Sequence, residues 1–141
     1  VALVHDGTGW KAEPAATTAG GAAMRFEVLG FDHEIRAQTT HETSFVIPSH
    51  AMLFGVTARV IEPISGSLSS WRLGVAGAYD RFGRGLGKAA GSYSEGVLSA
   101  PLTSYQDTRL AFSPEGGRFG GGVVRLAVHC LRLDLPSWPV S

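Results

Sequence analysis

Apolar and polar residues alternate with a period of two over short stretches of this chain. The alternation begins where Met24, Phe26 and Val28 are separated by Arg25 and Glu27. A period of two is expected for a β-strand with one buried face. Further segments that predict strands are 34–39, 45–47, 51–61, 71–75, 108–112 and 122–133.

The predicted strands recur about every ten residues, with Gly- and Pro-containing turns between them. No segment carries apolar residues at helical spacing over three turns, so little helix is expected. This spacing is typical of all-β domains. The chain is therefore predicted to be an antiparallel β-sandwich, jelly-roll-like, with eight or nine strands.

The interval 77–96 is interrupted by Gly83, Gly85, Gly87 and Gly91. Glycine at this density prevents a helix of ordinary length. The segment 81–87 superficially resembles a phosphate-binding loop, but it lacks the spacing of known phosphate motifs and the helix that should follow. The interval is instead predicted to be a surface loop with positive φ at several positions.

Composition indicates a folded domain with a sizeable core. The 141 residues are 44% hydrophobic and 17% charged, with a net charge of zero. Zero net charge argues against nonspecific binding of nucleic acid or acidic membranes, and no apolar run approaches the ~20 residues that span a bilayer. Residues 1–23 are predicted to be the end of a preceding module and a linker arm, and residues 24–141 the β-sandwich.

No pattern of catalytic or metal-binding residues is visible. The single cysteine, Cys130, lies in an apolar run and is expected to be buried. The five histidines lack metal-ligand spacing, the carboxylates are scattered singly, and no Gly-x-Ser-x-Gly motif occurs. The sequence therefore predicts a protein that is not an enzyme and that binds no metal or cofactor.

Aromatic residues near predicted turns are interleaved with short polar and charged side chains. Aromatic faces beside hydrogen-bonding groups suit the mixed apolar and hydroxyl surfaces of sugars. Trp71 is also in phase with Leu73 and Val75, which favours a place in the core, and the tyrosines fit either role. The candidate carbohydrate-binding residues are Trp71, Tyr79, Asp80, Arg81, Arg84, Tyr93, Tyr105 and Asp107.

Glycine and apolar positions over nearly the whole chain resemble a known family. The chain is similar to the C-terminal domain of the head-spike or fibre proteins of alphaproteobacterial gene transfer agents and related tailed phages. Gene transfer agents are phage-like particles that carry host DNA between cells. The segment 6–10 is similar to the end of the family's preceding module. The resemblance rests on 47–48, 51, 55–60, 64–66, 73–77, 81–83, 86–87, 91–92 and 119–129.

The resemblance implies a host-attachment module on the surface of a virion-like particle, made in the bacterial cytoplasm and released on lysis. The expected partners are cell-surface or capsular polysaccharide and other head or spike proteins, without nucleic acid or membrane insertion. Weak sugar contacts gain from multiplicity, so a homo-oligomer is expected, a trimer by analogy with phage fibres. Two alternatives remain open: an assembly module of the spike and, less favoured by the scattered carboxylates, a capsule depolymerase.

Overall fold

The computed structural model describes residues 22–136 and the backbone of three short preceding strands. These residues form eleven strands and no helix, and thus no helix that could cross a membrane. The strands are β1 Leu3–His5, β2 Trp10–Ala12, β3 Pro14–Thr17, β4 Ala23–Ile35, β5 His41–Ile47, β6 Met52–Gly66, β7 Ser70–Val75, β8 Ala78–Leu86, β9 Tyr93–Thr103, β10 Thr108–Glu115 and β11 Phe119–Asp134.

Two antiparallel sheets make up the sandwich. The five-stranded sheet has the order β3-β4-β11-β6-β9, and the four-stranded sheet has the order β5-β10-β7-β8, while β1 and β2 form a separate pair. If β3 is left out and the eight strands from β4 to β11 are renumbered 1 to 8, the orders of the two sheets are 1-8-3-6 and 2-7-4-5. This is the strand order of a jelly roll, in which two Greek keys interlock. The predicted fold class is confirmed.

The core lies between the two sheets and is filled from alternating positions of both. Trp71 on β7 stacks on Phe112 of β10, with ring centroids 5.1 Å apart and planes within 3°. Opposite them, Leu126 and Val128 of β11 are fully buried. Cys130 is buried as expected, and this burial raises the pKa of its thiol to about 11, so the thiol is unreactive at neutral pH.

The strand β4 differs from the prediction in length and in orientation. It is one strand that ends at Ile35, so the predicted strand beyond that residue, through position 39, is wrong. Ile35 is 2% exposed, whereas Met24 and Phe26 are 40% and 43% exposed. Because side chains alternate between faces, the apolar set that begins at Met24 lies on the outer face of the five-stranded sheet, turned away from the core.

The predicted glycine-rich loop is largely strand. Residues 78–86 form β8, which pairs with β7, and β9 begins at Tyr93. The expected positive φ angles are present at Gly77, Gly85 and Gly91. Irregular pairing of β8 with β7 explains the difference, since glycine accommodates bulges and turns without interrupting a strand.

Candidate functional site

A cavity of about 680 Å³ opens at one end of the sandwich. Three loops meet there, because β5 and β9 end, and β8 begins, at the same edge of the antiparallel sheets. We call this space the end cavity. Apolar side chains form its inner part: Ile47, Ala51, Leu53, Val75 and Leu102. Polar and aromatic side chains line the rest: Glu42, Arg81, Tyr105, Gln106, Asp107 and Arg109.

Two of these loops are held together by hydrogen bonds that backbone N–H groups donate. The His50 N–H donates to the Ser104 carbonyl at 2.7 Å, and the Ser49 N–H donates to Asp107 Oδ1 at 3.1 Å. His50 has a φ of 65°, which non-glycine residues rarely adopt. Its ring meets the Tyr105 ring edge-on, with centroids 5.3 Å apart. The geometry of the cavity mouth is therefore fixed by contacts within the protein, and it places Tyr105 at the mouth.

Arg109 has a structural role beside the cavity. Its Nη1 donates to the carbonyls of Thr43 and Ser44, at 3.1 and 2.8 Å. These carbonyls lie where the register between β10 and β5 shifts. A bulge leaves carbonyl groups without ladder partners, and the guanidinium supplies donors to them. Arg109 and Asp107 are thus already engaged by the protein.

Arg81 and Glu42 are the charged groups that remain available in the end cavity. Neither side chain forms a hydrogen bond or ion pair with any described residue, and both residues are exposed. A guanidinium donates hydrogen bonds in a planar fork, and a carboxylate accepts them from hydroxyl groups. With the Tyr105 ring close by, the cavity offers a donor, an acceptor and an aromatic face to one ligand.

Three of the eight predicted site residues, Arg81, Tyr105 and Asp107, line the end cavity. Trp71 does not reach the surface: it is 2% exposed, and its Nε1–H donates to the Gly87 carbonyl at 2.8 Å. Trp71 is therefore a core residue, which was the other role that the sequence allowed. The prediction that Trp71 binds carbohydrate is wrong, because a ligand cannot reach the ring.

The remaining four predicted residues lie on other surfaces. Tyr79, Asp80 and Arg84 are on β8, where Arg84 and Asp80 form an exposed ion pair at 3.6 Å. Tyr93 is on β9 and 62% exposed, with the Arg59 guanidinium 5.3 Å from its ring centroid. The fold does not bring these four residues together with the cavity.

Sequence reasoning missed Glu42, His50 and Arg109 as residues of this region. A signal existed for His50, because it follows Pro48 in a short connection between two predicted strands, where turn geometry is expected. Glu42 and Arg109 reach the cavity region only through the pairing of β5 with β10. No local pattern in the sequence predicts that pairing.

His33 has the imidazole of another histidine as its partner. Its Nε2 lies 2.8 Å from Nε2 of His41, and the His41 Nδ1–H donates to the Thr39 carbonyl at 2.9 Å. The bond to Thr39 leaves the His41 Nε2 as acceptor, so His33 donates. Burial lowers the pKa of His33 to about 4. Among the described residues no group of three or more potential ligands could hold a metal ion.

Fold and cavity together define a jelly-roll β-sandwich with a cavity of mixed apolar and polar lining at one end. Among solved structures, the chain is similar to a chain of the cyanophage Pam1 capsid asymmetric unit, with a TM-score of 0.51 and 16% sequence identity. The match covers 92% of this chain and 97% of that chain, so the likeness extends over two whole chains of nearly equal length. No protein-family model and no curated protein sequence matches.

Proposed function

We propose that this chain is an outer structural protein of a phage or phage-like particle and that it binds bacterial surface polysaccharide in the end cavity. Likeness to a whole chain of a phage capsid asymmetric unit supports the particle role. The sequence resemblance to head-spike proteins supports the same class. In this proposal the chain is displayed on the particle surface and attaches the particle to a cell.

The proposal rests on two charged side chains that are available to a ligand and that lie near an aromatic ring. Arg81 and Glu42 have no partner among the described residues, and both line the cavity that Tyr105 borders. A sugar presents hydroxyl groups around its edge and C–H groups on its faces. Arg81 and Glu42 match the hydroxyl groups, and the Tyr105 ring matches a C–H face.

The arrangement of carboxylates favours binding without catalysis. Hydrolysis of a glycosidic bond by the common mechanism uses two carboxyl groups, an acid and a base or nucleophile. In the end cavity Asp107 is engaged by the Ser49 N–H, which leaves Glu42 as the available carboxylate among the described lining residues. One available carboxylate suits a ligand contact better than it suits hydrolysis.

A binding assay on immobilised polysaccharides tests this proposal. The probes are bacterial capsular polysaccharides and lipopolysaccharide O-chains, each on its own sensor surface. For a polysaccharide that binds, we expect Arg81→Met and Tyr105→Ala each to weaken binding at least ~tenfold, as removal of a central contact does. Arg84→Met is the matched control, since Arg84 lies on the same strand but pairs with Asp80, and it should bind as wild type.

Two results would contradict the proposal. If Arg81→Met and Tyr105→Ala bind every polysaccharide as strongly as wild type, the end cavity is not the site. If the wild-type chain shortens a polysaccharide over time, the function is that of a depolymerase.

The assembly alternative is supported by a separate observation on the five-stranded sheet. Large apolar side chains, among them Phe26 and Leu133, are exposed on its outer face at the end that carries the cavity. Exposed patches of this kind mark contacts with other proteins. Attachment and assembly use different surfaces, so one chain can serve both.

A further inference from the structure

One end of the outer face of the five-stranded sheet is apolar across three strands. Phe26 on β4 is in register with Leu131 on β11, and Leu131 with Met52 on β6. Residues opposite each other in a sheet point to the same face, so these three form a row. We call the surface around this row the apolar zone: Met24, Phe26, Met52, Phe54, Val97, Leu131, Leu133 and Leu135.

The apolar zone is about as large as the largest apolar patch that a monomer ordinarily exposes. Six of its side chains are between 37% and 85% exposed, the extremes being Phe54 and Leu135. At ~150–200 Å² for a large apolar side chain, the exposed area of the zone is roughly 600 Å². This area is at the upper end of the about 300–600 Å² found for the largest patch of a typical monomer, and it makes up most of the about 800 Å² that each partner contributes to a stable interface.

Charge does not oppose a contact between two copies of this zone. The charged side chains that alternate with it on β4 and β11 lie on the opposite face of the sheet, where Arg25 pairs with Asp134 at 2.5 Å and Arg132 with Glu27 at 3.4 Å. The chain as a whole has zero net charge, so copies do not repel each other at long range.

The zone contains an aromatic pair and, beside it, a groove. Phe26 and Phe54 pack against each other with centroids 6.4 Å apart and remain exposed. Next to them, Met52 and Leu131 line a groove of about 610 Å³. A surface that holds an aromatic pair beside a groove can meet its own copy across a two-fold axis, each aromatic pair opposite the other copy's groove.

We propose that the apolar zone is a self-association surface, on which a second copy of this chain packs about a two-fold axis. A two-fold contact uses the same surface on both copies, whereas a trimer needs two different surfaces that meet. One face that carries both a partly exposed aromatic pair and a groove fits the two-fold arrangement, in contrast to the trimer expected by analogy with fibres.

This pairing brings two end cavities next to each other. Thr103 and Tyr105 line both the groove and the end cavity, so the groove begins where the cavity mouth ends. A second copy seated on the groove therefore lies beside the mouth of the first copy's cavity. A pair formed through the zone therefore holds its two cavities close to the shared interface.

The molecular mass of the 141-residue chain in solution tests the proposal. Sedimentation equilibrium over the micromolar range should give twice the mass of one chain. Leu133→Glu places a charge in the zone at a side chain that is 69% exposed, so the fold is preserved, and it should weaken dimerisation at least ~tenfold. Tyr93→Glu is the matched control: Tyr93 is 62% exposed on the same sheet, outside the zone, and its dimer should equal the wild type.

Three outcomes would overturn the proposal. One is a wild-type chain that is monomeric over the whole concentration range, which would assign the zone to another occupant, such as a different particle protein. Another is a dimer unaffected by Leu133→Glu, which would place the contact elsewhere. The third is a wild-type protein with three times the mass of one chain, because a trimer would exclude the two-fold arrangement. Circular dichroism of both variants confirms that loss of association is not loss of folding.

Discussion

At the scale of single residues, the His33–His41 pair makes stability depend on pH. Both rings are half-buried and packed near Phe112, with centroids 4.6 and 5.7 Å from its ring. Burial, and to a smaller extent the charge of His41, lowers the pKa of His33 to about 4, and burial also lowers the pKa of His41. In the folded protein these imidazoles are therefore neutral at pH 7, and one donates to the other.

We expect stability to fall as pH decreases from about 6.5 to 4. In this window the unfolded chain binds a proton at His33, whose ordinary pKa is 6.5, and the folded chain does not. Added protons therefore favour the unfolded state. The full difference between pKa values of 6.5 and about 4 corresponds to about 3 kcal/mol, and solvent screening of this half-buried ring reduces the loss to about 2 kcal/mol. Denaturant unfolding at stepped pH measures this loss.

His33→Phe removes the titrating group and should flatten the pH dependence, whatever its effect on stability at pH 7. His129→Gln, on the outer face, is the control and should retain the wild-type slope. Asp32 acts at lower pH, because the hydrogen bond from Arg125 holds the pKa of its carboxyl below the ordinary value of 3.8. A slope in His33→Phe equal to the wild type would contradict the assignment.

At the scale of elements, period-two alternation predicted which segments are strands better than which face is buried. On β11 the set Leu126, Val128 and Cys130 is apolar and inside, with Arg125 and His129 outside. On β4 the apolar set at Met24 is outside, because that end of the strand carries an exposed surface of its own. Alternation shows that the two faces of a strand differ in polarity. Which of the two faces meets the core is decided by how the two sheets pack on each other.

The candidate site was less predictable than the strands. Tyr105 and Asp107 are neighbours in one loop, but Arg81 comes from β8 and Glu42 from β5. The jelly-roll topology brings these elements to one end of the sandwich. Local sequence carries no information on such long-range pairing, so the four predicted residues on β8 and β9 that lie on other surfaces could not be told apart from those at the cavity.

Arg109 links two elements, and its removal should destabilise the fold without abolishing ligand binding. Its Nη1 bridges the Thr43 and Ser44 carbonyls where β5 departs from regular pairing with β10. Because the residue is exposed, we expect Arg109→Met to reduce the free energy of unfolding by only about 1 kcal/mol. Arg81→Met should leave stability unchanged, which separates the structural arginine from the ligand-binding one. Urea denaturation of both variants measures the difference, and equal stabilities would contradict these roles.

At the scale of the whole molecule, the two proposals combine into a testable consequence for attachment. A single cavity holds a sugar weakly, but two cavities on one rigid pair engage a repeating polysaccharide together. The second contact is then intramolecular, and avidity gains of about 10²–10⁴ are typical when the spacing allows it. The jelly roll supplies the required rigidity, because the cavity loops are bonded to each other through His50, Ser104 and Asp107.

We therefore expect Leu133→Glu to reduce retention on a polysaccharide-coated surface about 100-fold while leaving affinity for a short oligosaccharide in solution unchanged. Surface plasmon resonance measures retention, and calorimetry with a fragment of the bound polysaccharide measures the single-site affinity. Arg81→Met is the complementary variant, since it should lose affinity in both assays because the cavity itself is altered. If Leu133→Glu also loses single-site affinity, the second copy forms part of the cavity wall. If retention matches the wild type, the two cavities act independently, and pairing through the apolar zone contributes to assembly alone.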